Sequence, residues 1–148
     1  MGRISSADFV FKTHPPDRVV LDALLENGWT YSLNGEIWSY VTRDASRNDY
    51  SWKVVPEEHW PVLYASFVEL NNAGSAAALR LRWGGRDGPG GSFHFYRNGT
   101  LMVIFDAYRP RLPGCEPFSD ASWYLQRILP ALLRAGLAVE EVATDDYS

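Results

Sequence analysis

The chain has a single cysteine, Cys115, so no disulfide can form within it and stapling by cross-links is excluded as a source of stability. Histidine is scarce too. His14, His59 and His94 fall on a turn, a helix start and a strand, with no close pair and no Cys/His cluster, which argues against a zinc site. No apolar run approaches the roughly 20 residues that cross a bilayer, so no membrane contact is expected. The opening MGRISSADFVFK lacks an apolar h-region ahead of a small-residue cleavage site, and the expected location is therefore cytoplasmic. Basic residues are outnumbered, 14 to 18, and the resulting net charge of -4 repels phosphates, so no nucleic acid is expected as a partner. The glycine-rich Gly84–Gly91 stretch lacks the Lys-Ser/Thr ending of a phosphate-binding loop, and there is no Gly-x-Ser-x-Gly nucleophile elbow. No cofactor is expected.

What is present is the material of one domain over residues 1–148. At 46% hydrophobic, a chain of this length can bury a sizeable core. Ala7 to Thr13 reads as a strand ending at Pro15-Pro16. Pro16 and Asp17 suit a first helical turn, and Val20, Leu21, Leu24 and Leu25 form its apolar stripe, leaving Arg18, Asp22 and Glu26 toward water. In WTYSLNGEIWSY, Asn34-Gly35 accepts the positive φ angles of a two-residue hairpin turn, so Leu33 opposes Glu36 and Trp29, Tyr31, Leu33, Trp38 and Tyr40 share one face. RDASRND, residues 43–49, reads as a polar loop, and Tyr50 to Val55 as a strand with Tyr50, Trp52 and Val54 on one side.

Pro56-Glu57-Glu58 opens a second helix, with Trp60, Leu63, Tyr64, Phe67 and Leu70 at helical spacing and Asn71–Gly74 as its stop. Leu79, Leu81 and Trp83 alternate with Arg80 and Arg82, and residues 84–91 read as a loop. A second hairpin follows in SFHFYRNGTLMVIF. A two-residue Asn98-Gly99 turn pairs Tyr96 with Leu101 and Phe93 with Ile104, and the apolar character of both faces predicts a central place in the sheet. Ser119-Asp120 caps a third helix that carries Leu125, Ile128, Leu129 and Leu132, contains Pro130 and stops at Gly136. Leu137 to Val142 reads as the last strand, and the acidic residues after it as a tail. The expected fold is α+β: one twisted, mostly antiparallel sheet with three helices packed mainly on one face.

None of the reactive side chains is placed by sequence against a partner that would activate it. His94 is expected to find a hydroxyl or a backbone carbonyl among Tyr96, Val103 and Phe105, without acid–base work. Cys115 sits in an irregular loop with no nearby base. Arg80, Arg82 and Arg86 beside Trp83 make a small basic and aromatic group that reads as a solvated strand face. The surplus lies in aromatics, six Trp, eight Tyr and seven Phe, whose large, stiff side chains serve both cores and binding hot spots. Trp29, Tyr31, Trp38, Tyr40, Tyr50 and Trp52 flank the charged 43–49 loop. Most are expected beneath helices, and those that face out would form an aromatic and acidic patch.

A small, acidic, single-domain α+β chain with Asn-Gly hairpins, rich in Trp and Tyr, resembles the small immunity proteins of bacterial polymorphic or contact-dependent toxin systems. The resemblance is one of overall character across the chain, and it carries no site residues over. It implies a cytoplasmic inhibitor, not an enzyme, that occludes the active site or the substrate surface of a toxin domain with a basic surface. Read from the residues, the partner-binding set is Trp38, Tyr40, Asp44, Asp49, Tyr50 and Trp52. A second reading is a small enzyme or ligand-binding domain with a pocket between sheet and helices, using His94, Asp106 and Cys115.

Overall fold

Prolines and Asn-Gly pairs divide the chain where its backbone must turn. The computed structural model describes residues 4–13, 15–42, 51–69, 76–84, 88–96, 99–106, 109–115 and 118–147. In chain order the elements are β1 (Ile4–Phe11), α1 (Asp17–Leu25), β2 (Trp29–Thr30), β3 (Glu36–Thr42), β4 (Lys53–Pro56), a short 3₁₀ turn at Glu57–His59, α2 (Trp60–Glu69), β5 (Ala76–Trp83), β6 (Gly90–Tyr96), β7 (Thr100–Phe105), α3 (Ala121–Arg134) and β8 (Val139–Tyr147). The strands form one open eight-stranded sheet in the order β4-β3-β5-β6-β7-β1-β8, with β2 also on β5, and each of these pairings is antiparallel. The fold is α+β, as the alternation and helix stripes predict. The second hairpin, β6 and β7, is central.

One face of the sheet carries the core. Ile37, Leu79, Phe93, Phe95, Val103, Leu101, Phe9 and Ala7 alternate inward along their strands and are essentially sealed from solvent. The helices cover this face with Leu21 and Leu24 from α1, Phe67 from α2, and Tyr124, Ile128 and Leu132 from α3. Phe67 meets Phe95 edge-on, and Tyr124 stacks on Phe105 with ring centres 3.8 Å apart. Burial pushes the Tyr124 phenol well above its ordinary pKa, and its hydroxyl donates to the Gly90 carbonyl at 2.6 Å. A neutral, hydrogen-bonded phenol is the form a sealed core accepts.

The first hairpin forms only at its tip. Leu33 does bridge Glu36, and Asn34 (φ 55°) and Gly35 (φ 82°) both take the left-handed conformation of the expected turn. Beyond that bridge the first arm leaves β3. Trp29 pairs with Trp83 of β5 instead, which buries its indole among Trp83, Phe93, Trp123 and Tyr124. Trp29 and Tyr31 therefore do not share a face with Trp38 and Tyr40, and Tyr31 stacks on Trp60 at 3.9 Å. The second hairpin is shifted by one residue from expectation. Tyr96 pairs with Thr100, Phe93 with Val103 and His94 with Met102, because three residues rather than two connect the strands. A one-residue slip exchanges the faces of a whole strand, so Met102 and Ile104 join His94 while Leu101, Val103 and Phe105 join the core.

Gly90 and Gly91, expected in a loop, are buried strand residues. Asp22, expected toward water, is half-buried and accepts the Tyr64 hydroxyl at 2.9 Å. Asp120 is the residue before α3, although its side chain makes no capping bond to the helix backbone. At the other end of α3, Gly136 N–H bonds to Leu133 and Leu137 N–H to Leu132, the paired bonds of a Schellman stop.

The last strand appears as expected but longer: the acidic residues after Val142 continue it, and β8 runs along β1 from Val139 to Tyr147. An edge strand keeps one side toward water, so charged residues cost it little and protect it from pairing with other chains. Asp146 also closes a polar chain through the fold. Arg109 Nε donates to Ser119 Oγ at 2.6 Å, Ser119 Oγ donates to Ser5 Oγ at 2.9 Å, and Ser5 Oγ donates to an Asp146 carboxylate oxygen. The Ser119 amide donates to the other oxygen at 3.0 Å. The buried links thus run from a cation to an anion. Asp146→Ala is expected to lower stability by about 2 kcal/mol, because it orphans a fully buried hydroxyl and an amide. Urea unfolding checks this, and a loss below about 0.5 kcal/mol, the level of an ordinary surface substitution, would show that the chain of bonds contributes nothing.

Candidate functional site

Strand parity decides which side chains reach the face that none of the helices among the described residues covers. One row across the sheet reads Tyr40, Ala78, His94, Met102, Asp8, Ala143 from β3 to β8. A second reads Arg80, Ser92, Ile104, Ser6, Asp145, with Trp38 of β3 beside Arg80 and Val54 of β4 beside Trp38. A third reads Ala76, Tyr96, Thr100, Val10, Glu141. Aromatic residues occupy one end of the face and carboxylates the other.

At the aromatic end, the Arg80 guanidinium lies 5.0 Å from the Trp38 ring centre and 5.4 Å from that of Trp52, a cation held between two indoles. Trp52, just ahead of β4, also meets Tyr40 edge-on at 5.1 Å and His94 at 6.1 Å. Below it the Tyr40 hydroxyl and His94 Nδ1 are 2.7 Å apart, and Tyr96 stacks on the His94 ring. His94 is only 8% exposed, and its Nε2 is buried with no hydrogen-bond partner. Burial lowers its pKa from 6.5 to about 4, so the ring is neutral at neutral pH. It finds a hydroxyl, as expected, but that of Tyr40 across the sheet, and its neighbours are Tyr40, Trp52 and Tyr96 rather than Val103 and Phe105.

At the other end, Asp8, Glu141 and Asp145 project from β1 and β8 on the same face. Burial, then the neighbouring Asp145 charge, raises the Asp8 carboxyl above its ordinary pKa, and its Oδ1 is buried without a partner. The Asp145 charge disfavours ionisation of Asp8, and a cation brought by another molecule would favour it.

Of the residues expected to bind a partner, Trp38, Tyr40 and Trp52 are brought together on this face. Asp44, Asp49 and Tyr50 lie outside the described residues, as do His14, Arg86 and the 71–74 helix stop. Arg80 and the carboxylates of β1 and β8 belong to the face and were not expected there. Arg80 reads in sequence as one of a basic strand pair. Its company follows only from the pairing of β3 with β5, whose residues are some 40 positions apart in the chain.

His94, Asp106 and Cys115 do not converge. Asp106 lies four residues beyond Met102, the cross-strand neighbour of His94, or roughly 13 Å along the strand. Cys115 is exposed in the segment that leads to α3. Among the described residues, no group of three or more His, Cys, Asp or Glu side chains is placed to hold a metal, and no helix is long and apolar enough to cross a membrane. No protein-family model, curated protein or solved structure matches this chain.

Proposed function

We propose that this chain is a protein-binding inhibitor, an immunity protein that neutralises a bacterial toxin by covering its active site with the sheet face opposite the core. The observation that carries the reading is the composition of that face: two tryptophans clamping an arginine, a tyrosine and histidine beneath them, and a carboxylate cluster beyond. Trp and Arg are residues that dominate binding hot spots, because each buries a large area and keeps a polar tip for the partner. Tyr40, 4% exposed and bonded to His94, supports them from beneath. From β4 to β8 the face spans six strand spacings, about 29 Å, and a standard interface of about 800 Å² per partner is a square of about 28 Å. The carboxylates match a partner with a basic surface, and their field speeds encounter with it.

The test begins by retaining proteins from the native organism's lysate on the purified chain and identifying them by mass spectrometry. The captured partner is then expressed alone and together with this chain. Toxicity of the partner that disappears on co-expression supports the reading. Trp52→Ala is expected to weaken the complex by about 30-fold, the scale of a hot-spot tryptophan, and charge reversal at Asp145 to slow association in a salt-dependent way. Charge reversal at Asp44 and Asp49 tests the neighbouring loop in the same assay. Unchanged affinity in all these variants would remove the face from the interface, and a partner with no toxicity of its own would remove the inhibitor role.

A further inference from the structure

Away from the aromatic face, the end of α1 and the outer side of α3 enclose a cleft of about 350 Å³, lined by Asn27, Trp83, Gln126, Arg127, Ala131 and Arg134, with Pro130 between the arginines. In a chain of net charge -4, the lining includes two arginines and no carboxylate. Arg127 is held firmly. Its guanidinium lies 4.2 Å from the Trp123 ring centre and 5.5 Å from that of Trp83, and one terminal nitrogen donates to the Trp123 carbonyl at 3.0 Å. Its Nε is buried with no partner. Arg134 donates to Asn27 Oδ1 at 3.0 Å, which ties it to the far wall. A guanidinium has five N–H donors in a planar fork, so each arginine keeps donors beyond the bond it makes here.

A half-buried cation with an unbonded donor and no counter-charge on its own walls is costly unless something supplies an anion. Arg127 and Arg134 are seven residues apart, two helical turns on one side of α3 and about 10.5 Å along its axis. That separation suits a molecule carrying negative charge at more than one place better than a single small ion. Arginine forks grip planar or tetrahedral oxyanions through paired hydrogen bonds, and a cleft of this size falls at the small-ligand end of the usual range of pockets.

We propose that this cleft binds a small organic anion bearing two or more carboxylate or phosphate groups. The site is separate from the partner-binding face and does not depend on that reading. Trp83 and Trp123 flank Arg127, so tryptophan fluorescence of the intact protein reports on occupancy. The probes are citrate and pyrophosphate, titrated at constant ionic strength against acetate and chloride. The expected result is a saturable fluorescence change with citrate or pyrophosphate, about tenfold weaker or more in both Arg127→Lys and Arg134→Gln. Arg134 is exposed, so its substitution leaves the core intact, and Arg127→Lys keeps the charge while removing the fork. Saturation by citrate alone assigns the ligand to polycarboxylates, and by pyrophosphate alone to phosphorylated compounds. No saturable change with either probe, a response that acetate or chloride reproduces at equal ionic strength, or an affinity untouched by both substitutions overturns the proposal.

Discussion

Gly91→Ala is expected to destabilise the fold by about 3 kcal/mol, the upper part of the range for overpacking, and to lower the melting temperature by about 6–12 °C. A methyl group placed on Gly91 would stand 2.4 Å from the Ile104 carbonyl oxygen, and one on Gly90 would stand 2.3 Å from that of Leu81. Both obstacles are backbone atoms of the strands on either side of β6. A side chain can change rotamer to make room, but a central strand can yield only by breaking its own ladder. The two glycines let β5 and β7 close on β6 where the Gly90 carbonyl also accepts the Tyr124 hydroxyl and the Asp106 amide, so a shift there disturbs α3 as well. Gly35 supplies the contrast. It has open space around it and needs only a positive φ, which asparagine tolerates, so Gly35→Asn is expected to cost under about 1 kcal/mol. Urea unfolding of both variants decides the matter. Equal costs would mean that close approach of the strands is not what Gly91 provides.

Local chemistry made much of this architecture legible. The helix stripes, the prolines ahead of α1 and α2, the Schellman glycine after α3 and the left-handed Asn34-Gly35 turn each depend on a few neighbouring residues, and each appears where the pattern puts it. Pairing partners at a distance were not legible. An Asn-Gly pair does not say whether two or three residues make the turn, and that single uncertainty moved Met102 and Ile104 from one face to the other. Nor does alternation say that Trp29 gains more by burial beside Trp83 and Tyr124 than by completing its hairpin. The second half of β8, after Val142, reads as a tail in sequence because an edge strand open to water has no need of apolar residues on its outer side. For the candidate face, the parity of Trp38 and Tyr40 along one strand and the side taken by Trp52 were readable. Their gathering around Arg80, and the carboxylates on the same face, required the strand order.

Lowering the pH from 7 to about 4 is expected to cost the folded state about 3 kcal/mol through His94 alone. Its pKa is depressed from 6.5 in the unfolded chain to about 4 in the fold, and each decade of that gap is worth about 1.4 kcal/mol. The direction follows from proton uptake. Between these values the unfolded chain binds a proton that the folded chain refuses, so the stability is whole above pH 6.5 and is lost as the pH falls through that window. An imidazolium needs two acceptors, whereas Nδ1 has the Tyr40 oxygen and Nε2 has no partner. Asp8 acts with the opposite sign. Its raised carboxyl takes up a proton more readily in the fold and favours the folded state at lower pH. Unfolding free energies of the wild type and His94→Gln, compared across this range, isolate the histidine, since both proteins share every carboxylate. The wild type should lose the additional stability and the variant should not. A His94 ring resonance that titrates near 6.5 would refute the account. Tyr40 and Trp52 rest on this ring. Because the fold refuses the proton down to about pH 4, the aromatic end of the face keeps its packing across the window and is disturbed only near and below pH 4, a change that His94→Gln should lack.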